Sequence, residues 1–88
     1  MIVEKIIVIK NKQGLHARPA ALFVQIANKF ASEITIVKGR QKVNGKSIMG
    51  ILMLGAEQGT EITIEADGKD AEIALAELEK VISCEDES

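Results

Sequence analysis

His16 and Arg18 stand two residues apart in the run Gly14-Leu15-His16-Ala17-Arg18-Pro19-Ala20, and His16 is the only histidine in the chain. Imidazole is the one side chain whose ordinary titration falls near neutral pH. Its neutral nitrogen can attack a phosphoryl donor and hold the group as a phosphoramidate. An amphipathic helical pattern opens just downstream, so the ring is placed where a helix begins. Backbone N–H groups and the positive end of the helix dipole converge there and favour anions. The same field disfavours imidazolium and keeps the ring neutral and nucleophilic. With His16 as the N-cap, the amides of Ala17 and Arg18 fall in the first turn, where helical bonding leaves donors over to cradle phosphoryl oxygens. The Arg18 guanidinium offers a charge-assisted partner for the same group. The plainer alternatives are a capping histidine and a solvated arginine. No second histidine or evident general base accompanies His16. That suits a group carrier better than a hydrolase.

Ser47 and the run Ile48-Met49-Gly50-Ile51-Leu52-Met53-Leu54 form the second constellation. Serine is a favoured N-cap, and capping alone accounts for it. A phosphate added there would also be tolerated, because its charge meets a helix N-terminus. Ile51 and Leu54 can serve a core. Ile48, Met49, Leu52 and Met53 are hard to bury together in so short a helix. They predict an exposed, adaptable apolar patch for docking partners.

Seven elements must position these residues. Val3–Lys10 reads as a strand, with the Ile6–Ile9 run suggesting one covered face and one partly shielded face. Ala17 to Ala31 reads as a helix, with Ala20, Phe23, Ala27 and Phe30 at helical spacing and Pro19 in the tolerant first turn. Glu33–Lys38 and Gln41–Val43 form a hairpin about Gly39-Arg40. Ile48–Leu54 is a short helix that Gly55 ends. Thr60–Ala66 alternates apolar and polar residues as a half-buried strand does. Lys69–Ser83 is helical, with Ala71, Ala74, Leu75, Leu78 and Ile82 on one stripe, and Glu85–Ser88 is expected to fray. The order β-α-β-β-α-β-α makes a two-layer α+β sandwich, three helices against one mostly antiparallel sheet.

Composition narrows the function. The 88 residues predict a single domain over 1–88. Hydrophobic residues are 47% and aromatic ones 2%, so the core must be aliphatic. The chain lacks the aromatic platforms of single-strand binders, and a net charge of -2 argues against a polyanion partner. Proteins are the expected partners, not nucleic acid. Cys84 is the only cysteine, so neither an internal disulfide nor a cysteine metal cluster can form, and it is assigned no role. No cofactor or metal is implied. The N-terminus lacks signal-peptide layout and no apolar run reaches membrane-spanning length, so a cytoplasmic protein is expected. A monomer is expected, since nothing demands more than transient docking.

Gly14–Ala20 resembles the active-site signature of HPr, the histidine-containing phosphocarrier family of the bacterial phosphoenolpyruvate-dependent sugar phosphotransferase system. Lys46–Gly55 resembles that family's second signature, around its regulatory serine, and Gln58-Gly59-Thr60-Glu61-Ile62 also matches. The resemblance covers essentially the whole chain. It implies an open-faced sandwich with strand order 1-4-2-3 and helices on one face. It implies a phosphocarrier and not an enzyme. His16 would accept a phosphoryl group on Nδ1 from enzyme I and pass it to IIA domains of sugar permeases, with Arg18 steadying the group. Ser47 would be the target of an HPr kinase/phosphorylase, favouring binding to a catabolite-control transcription regulator. Ile48, Met49, Leu52 and Met53 would dock partners. Leu52-Met53-Leu54 leans toward the family's nitrogen-related branch, whereas Lys46–Gly50 leans toward the Gram-positive sugar branch. A regulatory protein acting mainly through Ser47 is a further alternative. Retention of His16 argues against the histidine-less regulatory paralogue.

Overall fold

The computed structural model describes residues 2–83. The elements run β1 (Ile2–Val8), α1 (Ala17–Ala27), β2 (Glu33–Lys38), β3 (Gln41–Asn44), α2 (Ile48–Met53), β4 (Glu61–Asp67) and α3 (Ala71–Ser83). The sheet is antiparallel, in the order β1-β4-β2-β3. Three helices against it make the expected α+β open sandwich. Cys84 and the acidic tail lie outside the described residues.

Register follows the alternation in β4. Ile62, Ile64 and Ala66 are buried against the helices, and Glu61, Thr63 and Glu65 take the other face. Ile7 and Ile62 are register partners, as are Ile36 and Ile64. These rows meet Ala20, Phe23 and Ala27 of α1, and Ala71, Ala74, Leu75, Leu78 and Ile82 of α3. Burying each large aliphatic side chain contributes about 1.5–3 kcal/mol.

The open face corrects one expectation. Ile6 is 62% and Val8 43% exposed, so the second face of β1 is not shielded. All helices fall on the other face, and the Ile6–Ile9 run divides between the two. Helix α1 also stops earlier than its apolar spacing suggests. Asn28 caps it, donating its N–H and its side-chain Nδ2 to the Val24 carbonyl. Lys29 and Phe30 close tighter turns back to Ile26 and Ala27. The amides of Ala31 and Ser32 then leave the helix for the Asp70 carboxylate, at 2.8 and 3.0 Å. Lys69 and Asp70 likewise stand before α3 and outside it, with the Asp70 carbonyl accepting from Ala74.

Asp70 thus ties the entrance of β2 to the start of α3. The Ser32 hydroxyl, then the Ala31 amide, hold its carboxyl below the usual carboxylate range. A depressed folded-state pKa stabilises the fold above the unfolded value, about 3.9, and the gain is lost as pH falls through the folded one. Asp70→Asn is therefore expected to lower Tm by several degrees at pH 7. The deficit should shrink toward zero in strong acid. Thermal melts of both proteins from pH 7 down to pH 2 check this, and a deficit independent of pH would refute it.

Candidate functional site

The loop ahead of α1 is built from the backbone. Gly14 closes a turn by donating to the Asn11 carbonyl at 3.0 Å, and the amide of His16 reaches back to Gly14. Leu15 is buried, and its amide donates to the Ala56 carbonyl at 2.9 Å. Gly14 has φ +70°, and a Cβ there would meet the Ala56 carbonyl oxygen and lie 2.9 Å from the Glu57 Cα. Only glycine allows both the conformation and the approach. The Gln58 side chain donates to the Lys10 carbonyl at 3.2 Å. The loop is thus sutured to the segment between α2 and β4.

His16 is the N-cap of α1, with extended backbone, and its carbonyl accepts from Ala20 at 3.0 Å. Its side chain makes no cap hydrogen bond. The residue is half-buried, and its Nε2 is turned inward, out of solvent. Ala17 and Arg18 are exposed at the first two helical positions, and Pro19 is buried at the third. No carboxylate lies in the first turn to compete for an anion there.

Ser47 is the N-cap of α2, its Oγ accepting from the Gly50 amide at 3.1 Å. Gly50 packs close to β3, where a Cβ would sit 3.3 Å from that of Val43. A helix of six residues is too short to stand alone. Buried Ile51 and Leu54 hold it to the core. Ile48, Met49 and Met53 are exposed at 40%, 66% and 73%. Leu52 departs from the expected patch, being half-buried and packed on the core. One helical turn cannot turn four residues outward while Ile51 and Leu54 face in. Helix α2 packs against α1 and β3, so Ser47 and the apolar face share a lobe with the His16 helix.

Three contributors carry no motif. Ala56 acts through its carbonyl. Lys38 Nζ caps the exit of α2 at the Leu54 carbonyl, 3.0 Å away, and Lys46 Nζ reaches the Phe30 carbonyl at 2.9 Å. Each joins elements distant in sequence, so composition could not flag it. Among the described residues no three His, Cys, Asp or Glu side chains cluster to hold a metal, and no helix is long and apolar enough to cross a membrane.

An antiparallel open sandwich whose first helix begins at a half-exposed histidine defines a class of small α+β proteins with an anion-favouring helix start. The chain belongs to the HPr family: residues 3–83 match the family model described as "PTS HPr component phosphorylation site". It is 45% identical over 82 residues to the phosphocarrier protein HPr of Neisseria meningitidis serogroup A, covering 93% of this chain and 92% of that one. The crystal structure of HPr from Bacillus anthracis str. Ames superposes with a TM-score of 0.87 at 49% identity, covering 92% of this chain and 96% of that one. The solution structure of Crh, "the Bacillus subtilis Catabolite Repression HPr", gives 0.72 at 45% identity, covering 96% and 100%. The family is one of phosphocarriers of the phosphotransferase system.

Proposed function

We propose that this chain is a cytoplasmic phosphoryl carrier that accepts the group on His16 Nδ1 from enzyme I and delivers it to IIA domains of sugar permeases. The observation carrying this reading is the His16 ring itself. It sits at a helix N-terminus, takes no part in capping, and has Nε2 turned inward. Nδ1 is then the nitrogen left to meet a donor. Its lone pair attacks phosphorus while the donor's bond to phosphorus breaks and the donor keeps that electron pair. The Ala17 and Arg18 amides and the Arg18 guanidinium receive the phosphoryl oxygens. Ile48, Met49 and Met53 form the docking face, with Leu52 as its floor.

Incubation with enzyme I and labelled phosphoenolpyruvate should place an acid-labile, base-stable label on the protein. Failure to label would sink the reading. The sugar branch is preferred to the nitrogen-related one because of the Lys46-Ser47-Ile48-Met49-Gly50 run, and label should pass to sugar-permease IIA domains.

Ser47 supports a second, coexisting role as the target of an HPr kinase/phosphorylase, with a catabolite-control transcription regulator as reader. Its half-exposed hydroxyl lies at the head of the docking helix, and Crh carries catabolite repression in its name. A phosphate there would add about two negative charges beside the apolar face. ATP with such a kinase should give an acid-stable label that is lost in Ser47→Ala. That variant also loses a helix cap, at about 0.5–2 kcal/mol. Equal ATP-dependent labelling of Ser47→Ala would exclude the role.

A further inference from the structure

Strand β1 is an edge strand that carries none of the usual guards. Its seven residues hold no proline or glycine, and its register with β4 runs from Ile2↔Asp67 to Val8↔Glu61 without a bulge. Its one lysine, Lys5, lies on the helix side and pairs with Glu79 at 3.2 Å. On the open face Ile2, Ile6 and Val8 are all exposed. A groove of about 360 Å³ follows the same edge on the helix side, lined by Val3, Lys5, Glu72, Leu75, Ala76 and Glu79.

The backbone shows which groups this edge offers. Ile9 donates its N–H to Thr60 at 2.9 Å and accepts from Gly59 at 2.8 Å, so its polar groups point toward β4. Alternation along an antiparallel strand then points the N–H and C=O of Ile2, Glu4, Ile6 and Val8 off the free edge. The same four residues carry the open-face side chains.

We propose that β1 is a self-association edge: two copies of this chain pair their β1 strands antiparallel about a two-fold axis at Ile6, joining the two sheets into one. Register selects this axis. Any symmetric pairing must set even-numbered residues opposite one another to use the free groups. An axis at Glu4 sets Glu4 against Glu4. An axis at Lys5 sets Lys5 against Lys5. Like charges directly opposite are destabilising. The axis at Ile6 sets Ile6 against Ile6, Glu4 against Val8 and Lys5 against Ile7, with no like-charged pair. The contact is isologous and closed, so it makes dimers and not fibres. It lies on the sheet edge opposite β3, away from α2, and leaves the docking helix free. One strand edge is a small interface of the weak, exchanging class. The proposal does not rest on the phosphoryl reading.

Sedimentation of the full chain over a wide concentration range tests it. The weight-average mass should rise from the monomer toward twice that value. Ile6→Lys puts two like charges on the axis and should hold the protein monomeric. Its Tm should stay within a few degrees, because the side chain is already exposed. In a Cys84→Ser background, Ile6→Cys should cross-link under mild oxidation, since bonded partners lie about 5.5 Å apart at Cα, within disulfide reach. Glu4→Cys and Lys5→Cys should cross-link much more slowly. A mass independent of concentration would overturn the proposal. So would a dimer that survives Ile6→Lys, or one in which Glu4→Cys or Lys5→Cys links faster than Ile6→Cys.

Discussion

His16→Ala takes up no acid-labile phosphoryl group from enzyme I, a loss of at least about 10⁴-fold in transfer rate. The expectation is this large because His16 is the chain's only histidine. No other imidazole can form a phosphoramidate. The fold should survive the change. The His16 side chain makes no cap hydrogen bond, and alanine retains the backbone carbonyl that accepts from Ala20. Circular dichroism and Tm close to the parent's would show that loss of labelling is loss of the acceptor. Any label remaining must be acid-stable and belong to a hydroxyl, with Ser47 the first candidate. An acid-labile label of undiminished rate would move the acceptor elsewhere and remove the proposed function with it.

Gly14→Ala is expected to be the most damaging substitution among the glycines of the site. Left-handed backbone costs a residue with a Cβ about 1–2 kcal/mol. The new methyl must also displace the Ala56 carbonyl and the Glu57 backbone. Overpacking of this kind adds about 1–3 kcal/mol. The bond from Leu15 to Ala56 stretches or breaks, and it is the bond that holds the residue before His16. Both stability and transfer rate should fall, stability by about 2–5 kcal/mol in all. Gly39→Ala is the matched control, since Gly39 has φ +59° and nothing within 4 Å of the added carbon. Denaturant melts should show Gly39→Ala paying the backbone term alone. Equal losses in the two variants would mean that the Gly14–Ala56 contact is not a constraint.

The site was legible where local chemistry forms it. His16 caps α1 as the helical spacing and Pro19 require, and Ser47 caps α2 as its neighbours require. The strands were legible where alternation is clean, as in Ile62, Ile64 and Ala66. Errors came where a distant residue intervened. The end of α1 moved because Asp70, thirty-eight residues beyond Ser32, takes two amides that helical spacing would have used. Leu52 turned partly inward because α2 had to settle on the core through Ile51 and Leu54.

The chain's own sequence determined the elements, their order, the phosphoryl-acceptor candidate and the capping serine. These follow from short-range periodicity and capping, which act within a few residues. Only the tertiary structure decided which face of β1 stays bare, which α2 residues remain exposed, and that Ala56 anchors the His16 loop. Those outcomes depend on contacts between segments about forty residues apart, and a backbone carbonyl such as that of Ala56 leaves no mark on the residue types that a sequence displays.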